Sequence, residues 1–357
     1  MTTPPSPGRP TIALDAMGSD HAPVPEVAGA IAAAREYGVN ILLVGIESRL
    51  QQALGAYKPA DRQNIRVVPA SEVITMEDKA LRAVRTKRDS SVHVCARLVK
   101  SGEASGLVSA GNTGAVMATS KLMLGSLAGV QRPALATVVP TAGGRGAILI
   151  DVGANVDCRA EHLEQFAIMG EIYCRLVLGN NRQDAVPGPR VGLLSIGEEE
   201  IKGNELTLEA FGLLKQLPFN FVGNVEGRDI YRGEVDVVVC DGFVGNVALK
   251  ISEGLVETVR GLLRELLGSS LSSRMGYLLS RRAFAEFKKR LDYSEYGGAP
   301  LLGVRGTVII CHGRSNAKAI KNAIRVAAES VTHNINLEIE TQIGRIHPLQ
   351  PQPAAQS

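Results

Sequence analysis

The stretch Val108–Leu124, VSAGNTGAVMATSKLML, decides the architecture. It passes from an apolar run into a bare turn of two glycines, an asparagine and a threonine, and then into a helix-patterned segment. A short apolar strand that turns at once into a helix belongs to a parallel sheet covered on both faces. The same alternation fills the chain. Strands are read at 11–17, 40–45, 64–70, 106–110, 134–140, 147–153, 191–197, 219–225, 235–242 and 304–310. Helices are read at 25–37, 47–55, 90–101, 113–127, 160–178, 203–216, 244–267, 272–290 and 315–332. Residues 11–335 read as a single α/β domain with a mostly parallel sheet. The Pro-rich segment 1–10 and the Pro/Gln-rich segment 345–357 read as disordered tails, too poor in apolar surface to offset the entropy of ordering.

Composition narrows the function. The chain has 357 residues, is 45% apolar and carries a formal charge of +3. That mild excess leaves no footprint for nucleic acid, so a charged partner has to be met locally. Five cysteines (Cys95, Cys158, Cys174, Cys240, Cys311) stand far apart without a CxxC pair, which argues against a disulfide framework or a structural zinc and for a reducing compartment. The N-terminal residues hold no apolar h-region, and no apolar run reaches the ~18 residues of a spanning helix. The expectation is a cytoplasmic protein, with attachment to a membrane surface still open. GxSxG, HExxH and a strand-borne GxGxxG are missing, so serine-hydrolase, zincin and dinucleotide readings fall away.

In open α/β sheets ligands lie beyond the carboxyl ends of the strands. Two turns there, SAGNTGA (109–115) and DGFVGN (241–246), each open a helix. Helix N-termini present unpaired N–H groups, and glycine lets an anion approach them. We expect the turns to meet at one sheet edge and to hold an oxyanion, inorganic phosphate, through Gly111, Asn112, Thr113, Gly114, Gly245 and Asn246. Tight turns and N-caps favour the same residue types. Asp15, Asp20, Asp151, Asp157, Glu198, Glu199 and Asp241 all follow strands, where capping is the default role. Asp20 and Asp241 sit within glycine turns and are set apart as catalytic candidates for orientation or proton handling, with Lys202 to neutralise charge. The run VRTKRDSS (84–91) offers Arg85, Lys87 and Arg88 either to phosphate or to solvent. Cys158 and His162, four apart, fit a buried thiol better than a nucleophile pair. His312 is a turn histidine or an orienting group.

Taken in order, DAMGSD, SAGNTGA, DVGAN, SIGEE, KGNE, NVEG, DGFVGN, APLLGV and HGRSNAKAIKNAI resemble the successive motifs of the bacterial phosphate acyltransferases, from about Thr11 to about Val331. The family pattern reads DAMGGD and usually HGSS; Ser19 and Arg314 depart from it. The resemblance implies the isopropylmalate-dehydrogenase-like three-layer α/β/α fold shared with phosphotransacetylases, a homodimer, and peripheral attachment to the inner face of the cell membrane. It implies a reaction in which phosphate attacks a long-chain thioester on acyl carrier protein. The acyl-phosphate would then pass to a membrane glycerol-3-phosphate acyltransferase for phospholipid synthesis. No cofactor and no metal are implied, since phosphate is its own nucleophile and a thiolate leaves readily.

Residues 255–291 form the second informative segment. Leucines and valines recur there at helical spacing, and eight lysines and arginines face three glutamates, a local charge of +5. This reads as a protruding helical hairpin. Its turn, with Leu271, Arg274, Met275, Leu278, Leu279, Arg281 and Arg282, is the candidate contact for a membrane surface or an acidic carrier protein. A dimer interface fits equally well. The alternatives carried forward are a phosphotransacetylase acting on short acyl-CoA, which needs no such hairpin, and a non-catalytic scaffold of lipid synthesis.

Overall fold

The computed structural model describes residues 8–179, 188–290 and 293–348. Residues 1–7 and 349–357 of the expected tails, and Leu291 of the expected hairpin, lie outside the described residues. The first half of the chain supplies β1 (Thr11–Asp15), α1 (Val24–Tyr37), β2 (Asn40–Gly45), α2 (Glu47–Leu54), β3 (Ile65–Pro69), α3 (Ala80–Thr86), α4 (Ser91–Lys100), β4 (Gly106–Ser109) and α5 (Thr113–Met123). The middle supplies β5 (Ala134–Pro140), β6 (Gly146–Ile150), α6 (Ala160–Val177), β7 (Val191–Leu194), α7 (Glu205–Leu214), β8 (Phe221–Val225) and β9 (Val237–Val239). Three consecutive helices follow, α8 (Gly242–Gly268), α9 (Leu271–Leu279) and α10 (Arg281–Arg290). The chain then returns through β10 (Ala299–Leu302), β11 (Thr307–Ile310), α11 (Ala317–Thr332) and α12 (Ile335–Ile346).

The strands form one sheet in the order β3-β2-β1-β4-β11-β10-β5-β6-β9-β7-β8. Seven of its ten pairings are parallel, as the alternation of the sequence requires. Every residue of β1 and β2 is buried, so Ile12–Leu14 and Ile41–Val44 are continuous apolar runs rather than alternating ones, with polar residues only at the strand ends. Helices cover both faces. On one, α6 lies deepest, with Leu163, Phe166, Ile172 and Tyr173 fully enclosed. On the other, α4 packs on β1 and β4, and its Val92 and Cys95 share a buried cluster with Ala115 and Val116 of α5. Gly29 of α1 lies against Ile320 of α11, where a Cβ would fall 2.7 Å from that side chain, so the two helices cross closely.

Three pairings are antiparallel: β11 with β10, β10 with β5, and β5 with β6. They reverse the sense of the sheet. With β4 taken as pointing up, β1, β2, β3 and β11 point up, β10 down and β5 up. Strands β6, β9, β7 and β8 then all point down. This corrects the expectation that the two glycine turns leave one sheet edge. The turn after β4 and the turn after β9 leave opposite ends of the strands, with β11, β10, β5 and β6 between them.

Candidate active site

Each half of the sheet gathers its loops around one buried aspartate. In the first half this is Asp15, the last residue of β1. Its Oδ2 accepts a hydrogen bond from Ser109 Oγ (2.7 Å) and its Oδ1 one from the Met17 N–H (3.1 Å). Ser109 Oγ in turn accepts from the Gly111 N–H (3.1 Å), which sets the start of the SAGNTGA turn. Gly18 and Gly111 meet back to back over this carboxylate: a Cβ on Gly18 would fall 2.7 Å from Gly111 Cα and 2.8 Å from Asp15 Oδ2. Gly18 therefore cannot carry a side chain without a shift of that backbone, and a Cβ on Gly111 would press on Ser109 Oγ at 3.2 Å. Burial pushes the Asp15 carboxyl up, and hydrogen bonds from Ser91, Ser109, Met17 and Gly18 oppose that rise.

In the second half the hub is Asp151, fully buried after β6. Its Oδ1 accepts from the N–H groups of Leu135 (3.0 Å), Gly153 (3.2 Å) and Ala154 (3.0 Å). Its Oδ2 accepts from the N–H (2.7 Å) and the side-chain amide (2.9 Å) of Asn155. Burial raises this carboxyl too, while the surrounding donors favour its anion. Gly245, in the first turn of α8, presses on the Asp151 carbonyl and Cys240 Sγ so tightly that a Cβ would collide with both.

These contacts revise the roles expected from sequence. Asn112 caps α5, its Oδ1 accepting from the Ala115 N–H (3.1 Å). Its Nδ2 donates to the carbonyls of Thr75 (3.4 Å), Met76 (3.3 Å) and Asp78 (3.2 Å), so the amide braces the loop before α3 instead of facing an anion. Asp241 also proves to be a cap, its Oδ1 accepting from Phe243 and Val244 N–H groups at 2.9 Å each. The Gly242 N–H goes to the Asn155 carbonyl. The first amides of α8 are therefore occupied, and a carboxylate already sits at that helix start. Gly245 serves close packing. Asn246 is exposed beside Gly153.

The start of α5 is different. Thr113 is exposed, and its N–H and that of Gly114 have no acceptor among the described residues. Asp20 is exposed nearby on the loop after β1, whose backbone N–H donates to the Gly313 carbonyl (3.0 Å) and so joins DAMGSD to HGRS. Asp20, Gly111, Asn112, Thr113 and Gly114 thus share the first set of strand ends. Lys202, Asp241, Gly245 and Asn246 share the second. Lys202 sits in the loop after β7, folded by Ser195 Oγ donating to the Lys202 carbonyl (3.0 Å) and Asn224 Nδ2 donating to the Glu199 carbonyl (2.8 Å). Its Nζ has no partner among the described residues.

Cys158 is half-buried with its thiol directed at the Asn155 carbonyl (3.5 Å), and burial pushes it up to about 11, so it stays a thiol. His162 Nδ1 accepts from the Arg159 N–H (3.0 Å) in a capping arrangement, which removes it as that thiol's base. His312 is a turn histidine, its Nδ1 accepting from the Arg314 N–H (3.2 Å). The residues that sequence reasoning passed over are the hubs, Asp15 and Asp151, assigned there to ordinary capping. The available signal was a lone carboxylate at the end of an otherwise continuous apolar strand.

A family model described as Fatty acid synthesis protein matches residues 10–338. The phosphate acyltransferase of Koribacter versatilis is 62% identical over 333 residues, covering 93% of this chain and 92% of that protein. The phosphate acyltransferase of Acidobacterium capsulatum is 59% identical over 329 residues, covering 92% and 96%. Among solved structures, a phosphotransacetylase from Streptococcus pyogenes superposes with a TM-score of 0.58 at 16% identity, covering 91% of this chain and 95% of that one. EutD phosphotransacetylase from Staphylococcus aureus gives 0.57 at 16% identity, covering 90% and 94%. At that identity the likeness is one of fold.

Proposed function

The chain belongs to the family described as fatty acid synthesis proteins, with phosphate acyltransferases among its relatives, and on that premise we propose that it moves a long-chain acyl group from acyl-acyl carrier protein to inorganic phosphate. It is an acyltransferase, and acyl transfer to phosphate is the reaction its relatives are named for. The acyl-phosphate would feed a membrane glycerol-3-phosphate acyltransferase in phospholipid synthesis.

One observation carries the placement of phosphate: the free N–H groups of Thr113 and Gly114 at the positive end of α5. With the Thr113 hydroxyl they take two phosphate oxygens, while Gly111 and Asn112 shape the turn. A third phosphate oxygen attacks the thioester carbonyl. The C–O bond forms as the carbonyl opens to a tetrahedral oxyanion, whose collapse restores the carbonyl and breaks the C–S bond, and the carrier leaves as a thiolate that takes up a proton. Asp20, on the joined loop, orients the phosphate and handles its proton. Positioning and stabilisation of the tetrahedral oxyanion supply the rate.

A second reading rests on Lys202, whose ammonium has no partner among the described residues and whose loop after β7, like Asp241 and Asn246 after β9, belongs to the second set of strand ends. There it would neutralise phosphate. Steady-state kinetics separates the two: Thr113→Val should raise the phosphate KM by about tenfold while Lys202→Ala leaves it unchanged. The reverse pattern moves the phosphate to the second set.

We further assign the exposed helices two surfaces. Along α8, Phe243, Val247, Ile251, Leu255, Leu262 and Leu266 form a stripe, each at least 43% exposed, suited to a second copy in a homodimer. On α9, Leu271, Met275, Leu278 and Leu279 are exposed beside Arg274, Arg281 and Arg282, suited to the surface of an anionic membrane. No helix of the described residues is long and apolar enough to cross a membrane.

A further inference from the structure

The segment around α3 carries more positive charge than it neutralises. Lys87 is held by Asp78 (2.6 Å) and Arg97 by Asp89 (2.7 Å). Lys79, Arg82, Arg85 and Arg88 are exposed and have no acidic partner among the described residues. Within the helix Arg82 and Arg85 are three apart and share a side, and Lys79 extends the row by one more step of three. Leu81 stands among them 69% exposed. Glu77, exposed nearby, has no ion-pair partner among the described residues, and against four cations it leaves the free charge of the patch positive.

This patch is fastened to the start of α5. Asn112 Nδ2 holds the carbonyls of Thr75, Met76 and Asp78, directly before α3. A Cβ on Gly114 would fall 3.1 Å from the Ala80 Cβ, so the two helix starts touch. An acidic partner seated on α3 is thereby held beside the turn that receives phosphate.

We propose that the outer face of α3, with Lys79, Arg82, Arg85, Arg88 and Leu81, is the docking surface for the acidic carrier protein that delivers the acyl thioester. The inference rests on the function proposed above and gives its partner a location other than the α9 surface. The occupant it fits is a protein surface with carboxylates at helical spacing around an apolar side chain. Four separate exposed cations, two on α3 and one beyond each of its ends, suit an extended acidic surface better than a compact nucleotide thiol. Two cavities among the described residues lie elsewhere, one lined by Ile168, Arg175 and Phe219 and the other by Leu301 and Asn336.

The test uses the full chain with Arg82→Glu/Arg85→Glu and the charge-conserving Arg82→Lys/Arg85→Lys. Binding of fluorescently labelled carrier protein is followed by anisotropy, and acyl-phosphate formation is measured from acyl-carrier protein and from acyl-CoA. The reversal should weaken carrier binding by about tenfold or more at low salt, with the gap closing as salt rises. The KM for acyl-carrier protein should rise in parallel, with kcat and the acyl-CoA kinetics unchanged, and the lysine variant should behave as wild type. Unchanged carrier binding overturns the proposal. So does a loss of anionic-vesicle binding with carrier binding intact, which would make α3 a lipid surface. Should wild type form no acyl-phosphate from any thioester, the proposed function fails, and the anisotropy still decides where the carrier sits.

Discussion

Ser109 Oγ donates to Asp15 Oδ2 at 2.7 Å between register partners of the paired strands β1 and β4. The bond joins the two loops that flank the proposed phosphate seat, and the same hydroxyl accepts from the Gly111 N–H. Ser109→Ala strips a buried carboxyl of one donor and the turn of its anchor. It should cost about 1–3 kcal/mol in urea denaturation, the penalty of a buried polar group left short of a partner. A loss below a few tenths would show that the Ser109 bond does not fix the turn.

Two glycines of α8 should respond in opposite directions. Gly245→Ala drives a methyl into the Asp151 carbonyl and Cys240 Sγ and should destabilise by about 1–3 kcal/mol. Gly254 has open space around its Cβ position, so Gly254→Ala should stabilise by roughly 0.5–1 kcal/mol through helix propensity. Thermal melts of both variants check the pair. Equal effects would mean that α8 does not pack on Asp151 as described.

Glu26 of α1 is fully buried, and neither carboxyl oxygen has a hydrogen-bond partner among the described residues. Burial pushes it up from 4.5 to about 7, and the nearby charge of Asp15 adds to the rise. A raised carboxyl binds its proton more tightly in the folded state, so its stabilising effect is full below pH 4.5 and is lost as pH rises toward about 7. Glu26→Gln keeps the neutral shape at every pH. Relative to wild type, the variant should gain roughly 3 kcal/mol between pH 4.5 and 7, read from denaturation curves at each pH. Parallel stability profiles for the two proteins would refute the assignment.

Membrane attachment through α9 has its own test. Leu279 is 84% exposed and Leu278 60% exposed, so replacing both by glutamate should leave the core intact. Flotation with anionic vesicles should fall by at least about tenfold, while gel filtration of the protein is unchanged. Undiminished flotation would place the contact elsewhere.

Much of the architecture was legible because both sheet faces are covered. Short buried runs such as those at 41–44 and 147–150, bounded by polar or glycine residues, are too short for a helix and read as strands. Strand β10 was not legible: its four residues lie among glycines and include Pro300, and they read as loop. That omission had consequences, since β10 pairs antiparallel on both sides and helps reverse the sheet. Without the reversal the two glycine turns look like neighbours. Helix α3 was hidden in a basic run, and α12 beyond the expected domain end, although Ile335, Ile339 and Ile343 recur at helical spacing and are buried. At the site, residue types identified the loops but not the direction of a side chain. An asparagine in a glycine turn serves a cap, a brace or an anion equally well until its neighbours are known.

The identity of the thioester that supplies the acyl group to phosphate separates the proposed reaction from its rivals. The direct measurement is the rate of acyl-phosphate formation, trapped as hydroxamate, from palmitoyl-acyl carrier protein and from acetyl-CoA with inorganic phosphate present. Phosphate-dependent hydroxamate is expected from the palmitoyl carrier at a kcat/KM at least about a hundredfold above that for acetyl-CoA. Equal or better use of acetyl-CoA, or thiol release that does not depend on phosphate, would contradict the proposed reaction.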